Sequence, residues 1–353
     1  MLRRAVGVAG LGLGVGLALA VQRRRDAIEA VPPELRTVEL WLPLGVDNRL
    51  VLGIARRMLR EPTDPVPGVR MARQSIGSTS QTATEGADQP PVEVLVFEPD
   101  GRTRPSGAVV FLHGGGYIMG DPESSADTCS RLARDLDVLV VVPRYRLAPE
   151  HPFPAGLDDC WTALRWVHEQ AETLGVDRAR VAVVGESAGG GLAAALAQRA
   201  ADADVPLALQ VLVYPMLDDR TVLRADHEGR GRFNWTPRSN RYAWTCYLGG
   251  APGATPPAYA VPARRTHVAG LAPAWVGVGD LDLFHVEDVE YAERLRAAGV
   301  PVELHVVPGM PHAADHRLEQ TVPAMREFRA RWAAALDRAV GAGALAGSGL
   351  PGG

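Results

Sequence analysis

Val181-Ala182-Val183-Val184-Gly185-Glu186-Ser187-Ala188-Gly189-Gly190-Gly191 is the stretch from which the fold can be read. Its first four residues are apolar and read as a short buried strand. An alanine-rich run, Ala188–Ala200, follows at once and reads as a helix. Between them, Gly185 and Gly189 flank Ser187 in the pattern G-x-S-x-G. Glycine on both sides lets the chain turn sharply, so a serine hydroxyl is held up at the end of a strand. The string alone is common. Its strand–turn–helix setting is what makes Ser187 a candidate nucleophile. The competing reading is a glycine-rich turn that binds phosphate on a helix N-terminus.

Working outward, the same rhythm recurs on both sides. Strands are expected at Val92–Phe97, Ala108–Leu112, Val138–Val142, Leu207–Val213, Ala274–Val278 and Val302–Val307. Helices are expected at Glu123–Leu136, Ala155–Leu174, Val286–Ala298 and Leu318–Val340. Alternating strands and helices predict an α/β fold, a mostly parallel sheet with helices on both faces. The rhythm stops between about 215 and 272. That stretch is rich in Arg, Trp, Pro and Gly, with one helix near Ser239–Tyr247, and reads as an insertion over the sheet.

A serine hydroxyl is a poor nucleophile unless a base takes its proton, and the base needs an orienting carboxylate. Candidates follow in the order acid, then histidine. Gly279-Asp280-Leu281-Asp282 comes after one strand, and Pro308-Gly309-Met310-Pro311-His312 after the next. Both lie at carboxyl ends of parallel strands, where sites of open α/β sheets form. Asp282 is the favoured acid, with Asp280 as a loop cap or backbone acceptor. His312 is the favoured base. His305 lies inside a strand and His316 opens the last helix. Acyl transfer also needs N–H donors for an oxyanion. His113-Gly114-Gly115-Gly116-Tyr117 supplies a glycine loop after the strand Ala108–Leu112, so the expected donors are the amides of Gly115, Gly116 and Ala188. His113 is read as holding this loop.

With these residues in view, the sequence resembles the hormone-sensitive-lipase-like, or bacterial family IV, branch of the α/β-hydrolases. The matching pieces are HGGGY at 113–117, YRLAPEHPFPAGLDD at 145–159, GESAGGG at 185–191, YPMLDD at 214–219, GDLDLF at 279–284 and PGMPH at 308–312. The resemblance implies an α/β-hydrolase fold with a helical cap. It implies a carboxylic ester hydrolase acting on short- to medium-chain acyl esters through an acyl-enzyme, with Ser187, Asp282 and His312 as its triad and no metal or organic cofactor. An amidase or deacetylase on the same scaffold is the rival reading, and a ligand-binding receptor of this fold a remoter one. The Tyr145–Glu150 stretch resembles a scaffold turn. Tyr117, Trp235, Trp244 and Tyr247 are candidates for the substrate pocket, the three cap aromatics being equally suited to packing the cap core. Two departures stand out. Ala313-Ala314 follows His312 where the family often has Gly-Phe, and Leu283 and Val286 replace a Pro and an Asp near the acid.

The chain has 353 residues and a net charge of −4, all of its positive side chains being arginine. No basic stripe suggests nucleic acid. Cys129, Cys160 and Cys246 show no metal-ligand spacing and read as reduced thiols. At the N-terminus an uncharged run, Ala5–Val21, lies between Arg3-Arg4 and Arg23-Arg24-Arg25. It is at the short end for a bilayer span, and its Gly10, Gly12, Gly14 and Gly16 give GxxxG spacings. A membrane anchor, a cleaved signal ending near Ala18-Leu19-Ala20, and a cytoplasmic extension are the open readings. The expected organisation is an apolar segment (1–25), N-terminal cap helices (26–74), a flexible loop (75–90), the hydrolase domain with its cap insertion (91–340) and a disordered tail (341–353).

Overall fold

Eight strands form a single sheet in a computed structural model that describes residues 21–42, 45–58, 64–77 and 90–341. The strands are β1 (Val69–Ile76), β2 (Val92–Pro99), β3 (Ser106–Leu112), β4 (Leu139–Pro143), β5 (Val176–Glu186), β6 (Leu209–Val213), β7 (Ala274–Gly279) and β8 (Val302–Val307). Their order is β1-β2-β4-β3-β5-β6-β7-β8. β2 runs antiparallel to both its neighbours, and every other pairing from β4 to β8 is parallel.

The central strands read as unbroken apolar runs because both sheet faces are covered. Successive side chains point to opposite faces. On β3, Ala108, Val110 and Leu112 enter one core and Val109 and Phe111 the other. On β5, Val181 and Val183 divide from Ala182 and Val184 in the same way. One core is closed by helices Ala155–Glu169, Ala188–Asp202 and His285–Ala297, the other by Ala126–Leu136 and Pro323–Val340.

Two expectations need correction. The stretch expected to hold cap helices up to residue 74 instead ends in strand β1. As an edge strand it buries only Val69 and Ile76, so its sequence, VRMARQSI, carries little alternation. It also takes up Ser75 and Ile76 of the expected loop, whose residues 78–89 lie outside the described ones, as do 342–353 of the expected tail. The expected helix Leu318–Val340 is two pieces, a turn at Asp315–Leu318 and a helix starting at Pro323, where a missing N–H does no harm. Cys129 and Cys160 are buried, and none of the three thiols is paired.

Above the carboxyl ends of the strands, the N-terminal segment meets the insertion. Arg24 donates to the carbonyls of Leu40, Leu42 and Arg232. The Val46 amide donates to Ser239 Oγ, and Arg238 pairs with Asp47. Helix Pro237–Leu248 begins with Thr236, whose hydroxyl accepts from the Ser239 amide, and ends at Gly249 in the left-handed region.

Candidate active site

The turn after β5 places Ser187 at φ 56° and ψ −118°. A side chain at positive φ stores local strain of about 1–3 kcal/mol and persists only where its surroundings over-determine it. Here the Ser187 amide donates to Val213 O, while its carbonyl accepts from Met216 and Gly191. A Cβ on Gly185 would lie 2.0 Å from Gly189 O, and one on Gly189 2.0 Å from Leu112 O. The two flanking glycines are therefore demanded by close backbone approach.

Two loops from neighbouring strands complete the arrangement. Ser187 Oγ lies 2.9 Å from His312 Nε2, and His312 Nδ1 lies 2.7 Å from Asp282 Oδ2. Asp282 is fully buried, and its Oδ1 accepts the Phe284 amide at 3.0 Å. The imidazole is held edge-on between the rings of Tyr214 and Phe284, at 4.9 and 5.2 Å between centroids. Asp280 is not in this relay. It accepts the Gly309 amide at 2.6 Å and so ties the acid loop to the histidine loop.

The glycine loop passes beside the serine, since a Cβ on Gly114 would lie 3.5 Å from Ser187 Cβ. Gly115 and Gly116 have φ of 122° and 62°. The Gly115 carbonyl is consumed by the amides of Ile118 and Met119. Among the described residues, the amides of Gly115, Gly116 and Ala188 donate to no backbone carbonyl in the turns and loops. His113 is buried and stacks on Tyr145 at 4.3 Å, with its Nδ1 2.8 Å from Gly114 O. Burial holds its pKa down at about 4, so the ring is neutral at pH 7. Tyr145 donates its hydroxyl to His113 O, and Arg146 next to it forks onto Asp159. Both belong to the stretch read as a scaffold turn.

The candidate pocket residues divide into two groups. Tyr117, Trp244 and Tyr247 are buried in one aromatic cluster, Tyr117 and Tyr247 being stacked at 4.0 Å. Trp235 lies instead against the glycine loop. A Cβ on Gly116 would come within 2.2 Å of its ring, whose Nε1 donates to Asn240 Oδ1.

Several contributors escaped sequence reasoning. Asn234 reaches from the insertion and donates its side-chain amide to His312 O at 2.6 Å. Beneath Ser187, Glu186 Oε2 lies 3.1 Å from His316 Nε2, and Arg329 bridges Glu186 and Asp315. Burial pushes the Glu186 carboxyl up, but His316 and Arg329 outweigh it and hold the pKa at about 2. Desolvation of the inner edge of its ring lowers His316, whose side chain is otherwise 44% exposed, and the carboxylates of Glu186 and Asp315 outweigh it, raising its pKa to about 9. Glu186, Asp315 and His316 have the donor types of a metal site. The Arg329 guanidinium already supplies their counter-charge, so the cluster is an ion-pair network binding the Ser187 turn to the His312 loop. No spacing rule marks such a network. Ala313, where the family often has glycine, has φ 55°, the backbone that glycine adopts freely.

Residues 109–316 match a family model described as alpha/beta hydrolase fold. The chain belongs to the α/β-hydrolase family. Within that family it is 39% identical over 292 residues to Esterase LipI of Mycobacterium tuberculosis, covering 81% of this chain and 88% of that protein. It is 35% identical over 267 residues to an ethyl acetate hydrolase of Pseudomonas putida, covering 73% and 81%. Among solved structures, a bacterial heroin esterase superposes with a TM-score of 0.78 at 34% identity, covering 89% and 99%. The chain is thus an ester hydrolase of the hormone-sensitive-lipase-like branch. No helix among the described residues is long and apolar enough to cross a membrane.

Proposed function

We propose that this chain hydrolyses short- to medium-chain carboxylic esters through a covalent acyl-enzyme formed on Ser187. The observation that carries the reading is the continuous relay from Ser187 Oγ through His312 to Asp282, at 2.9 and 2.7 Å. His312 Nε2 takes the hydroxyl proton as Oγ attacks the ester carbonyl. Asp282 fixes the imidazole tautomer and stabilises the imidazolium. The amides of Gly115, Gly116 and Ala188 receive the oxyanion. His312 then gives its proton to the departing alkoxide as the C–O bond breaks. A water molecule repeats the cycle on the acyl-enzyme and releases the acid.

The cap consists of residues 26–58 together with the insertion 215–272. Trp235 limits the room beside the oxyanion loop, which supports a preference for small acyl groups, and Tyr117, Trp244 and Tyr247 back that wall. The uncharged run Ala5–Val21, flanked by arginines, serves as a membrane anchor. A p-nitrophenyl ester chain-length series, run beside the matching anilides and Ser187→Ala, tests the function. Esters of short and medium chains should be cleaved and anilides poorly. Hydrolysis that survives Ser187→Ala would refute it.

A further inference from the structure

The cap turns an apolar surface outward. In helix Arg49–Met58, Leu52 is buried and Arg56 reaches inward to the carbonyls of Ile118 and Ala148. Leu50, Ile54 and Met58 follow the i, i+4, i+8 spacing of a single face, on the side away from Leu52 and Arg56. They are 76%, 51% and 72% exposed. Just before this helix, the short turn Val38–Trp41 buries Leu40 and leaves Val38, Trp41 and Leu42 exposed. An amphipathic helix that shows its apolar side to water lacks its partner.

We propose that this outer cap face rests on a lipid bilayer, with Leu50, Ile54, Met58 and Trp41 dipping into the headgroup boundary. The proposal rests on the membrane association suggested above for Ala5–Val21, and three observations select lipid as the occupant. Arg24, three residues beyond the apolar run in the chain, is bonded to the exposed turn through the carbonyls of Leu40 and Leu42, residues 5–20 of the run lying outside the described ones. Arg57, which flanks the apolar face of the helix, and Arg23 are exposed and form no ion pair among the described residues, which suits anionic headgroups. Trp41, exposed in the turn before the helix, has the amphipathic ring that membrane interfaces favour. Docking here would bring the cap, and the serine beneath it, to ester substrates that partition into lipid.

The test uses the full chain with Cys246→Ser, a background whose other thiols are buried, carrying Ile54→Cys labelled with an environment-sensitive nitrobenzoxadiazole probe. Arg338→Cys, which pairs with Glu303 at the opposite end of the sheet, is the control site. Vesicles are phosphatidylcholine doped with phosphatidylglycerol. The expected result is flotation with the vesicles, a blue shift at position 54 with shielding from aqueous iodide, and neither change at position 338. Flotation with an unshifted probe at position 54 overturns the docking face and leaves the anchor standing. Absence of flotation overturns both. A probe already shielded without lipid would show that the N-terminal run covers the face, and one shielded only as protein concentration rises would show a second copy there. Either result overturns the proposal.

Discussion

Gly116→Ala is the substitution through which the cap and the glycine loop can be tested together. The new methyl would sit 2.2 Å from Trp235 Cη2 and 2.8 Å from Cζ2. Carbon atoms pack at about 3.5–4.0 Å, so the ring or the loop must move by roughly 1 Å. Trp235 is buried and tethered through Nε1 to Asn240, so the loop shares the displacement. Alanine at φ 62° adds about 1–2 kcal/mol of backbone strain. On the proposed mechanism a shift of this size misplaces an oxyanion donor, and losing one such donor costs ~3–4 kcal/mol, or about 10²–10³ in kcat. We expect kcat for p-nitrophenyl butyrate to fall by that factor while KM changes little. Adding Trp235→Leu should restore at least about tenfold of the loss by removing the clash. Stopped-flow or steady-state rates on the four proteins of the cycle decide the matter. Wild-type kcat in Gly116→Ala, or purely additive losses in the double variant, would refute the reasoning.

Three further outcomes follow from the same geometry. Asp282→Asn should keep the fold, read by circular dichroism, and lose about 10⁴ in kcat, since the relay then holds the wrong tautomer; a loss under tenfold would remove Asp282 from the relay. His316, raised to about 9, stabilises the fold fully below its unfolded value near 6.5 and loses that contribution as pH rises through 9. Glu186, held at about 2, contributes above about 4.5 and loses it as pH falls through 2, while His113, held at about 4, weakens the fold as pH falls from about 6.5 to 4. Buried Glu287, pushed up to about 8, lowers stability as pH rises toward 8 in either protein, so urea midpoints should decline more steeply between about 6.5 and 9 in wild type than in His316→Gln; equal slopes would contradict the bridge. Ala313→Gly relieves a left-handed alanine and should raise stability by up to about 1 kcal/mol in urea melts, no gain or a loss counting against the strain.

What the sequence made legible, and what it hid, follow from the range of the forces involved. The turn at Ser187 was readable because close backbone approach admits only glycine at 185 and 189, a local requirement. The buried strands were readable because cover on both faces makes them uniformly apolar. Asp282 and His312 were legible by their place after successive strands, and Asp280 by its suitability as a backbone acceptor. Strand β1 was not, since an edge strand with two buried residues leaves almost no periodic trace. Nor were Asn234 and the Glu186–His316–Arg329 cluster. Their partners are separated by 78 residues in one case and by well over 100 in the other, so only the folded chain brings them together. Trp235 was identified as a pocket candidate, but its contact with Gly116 belongs to the meeting of cap and sheet.

The central claim is that Ser187 is the nucleophile, and active-site labelling tests it most directly. A fluorophosphonate probe reacts only with a serine whose hydroxyl is activated. Folded protein should take up one probe per chain, mapped by peptide mass spectrometry to Ser187, with ester hydrolysis lost in proportion to labelling. Ser187→Ala should take up none. Label on another residue, or hydrolysis that persists when Ser187 is fully labelled, would contradict the account.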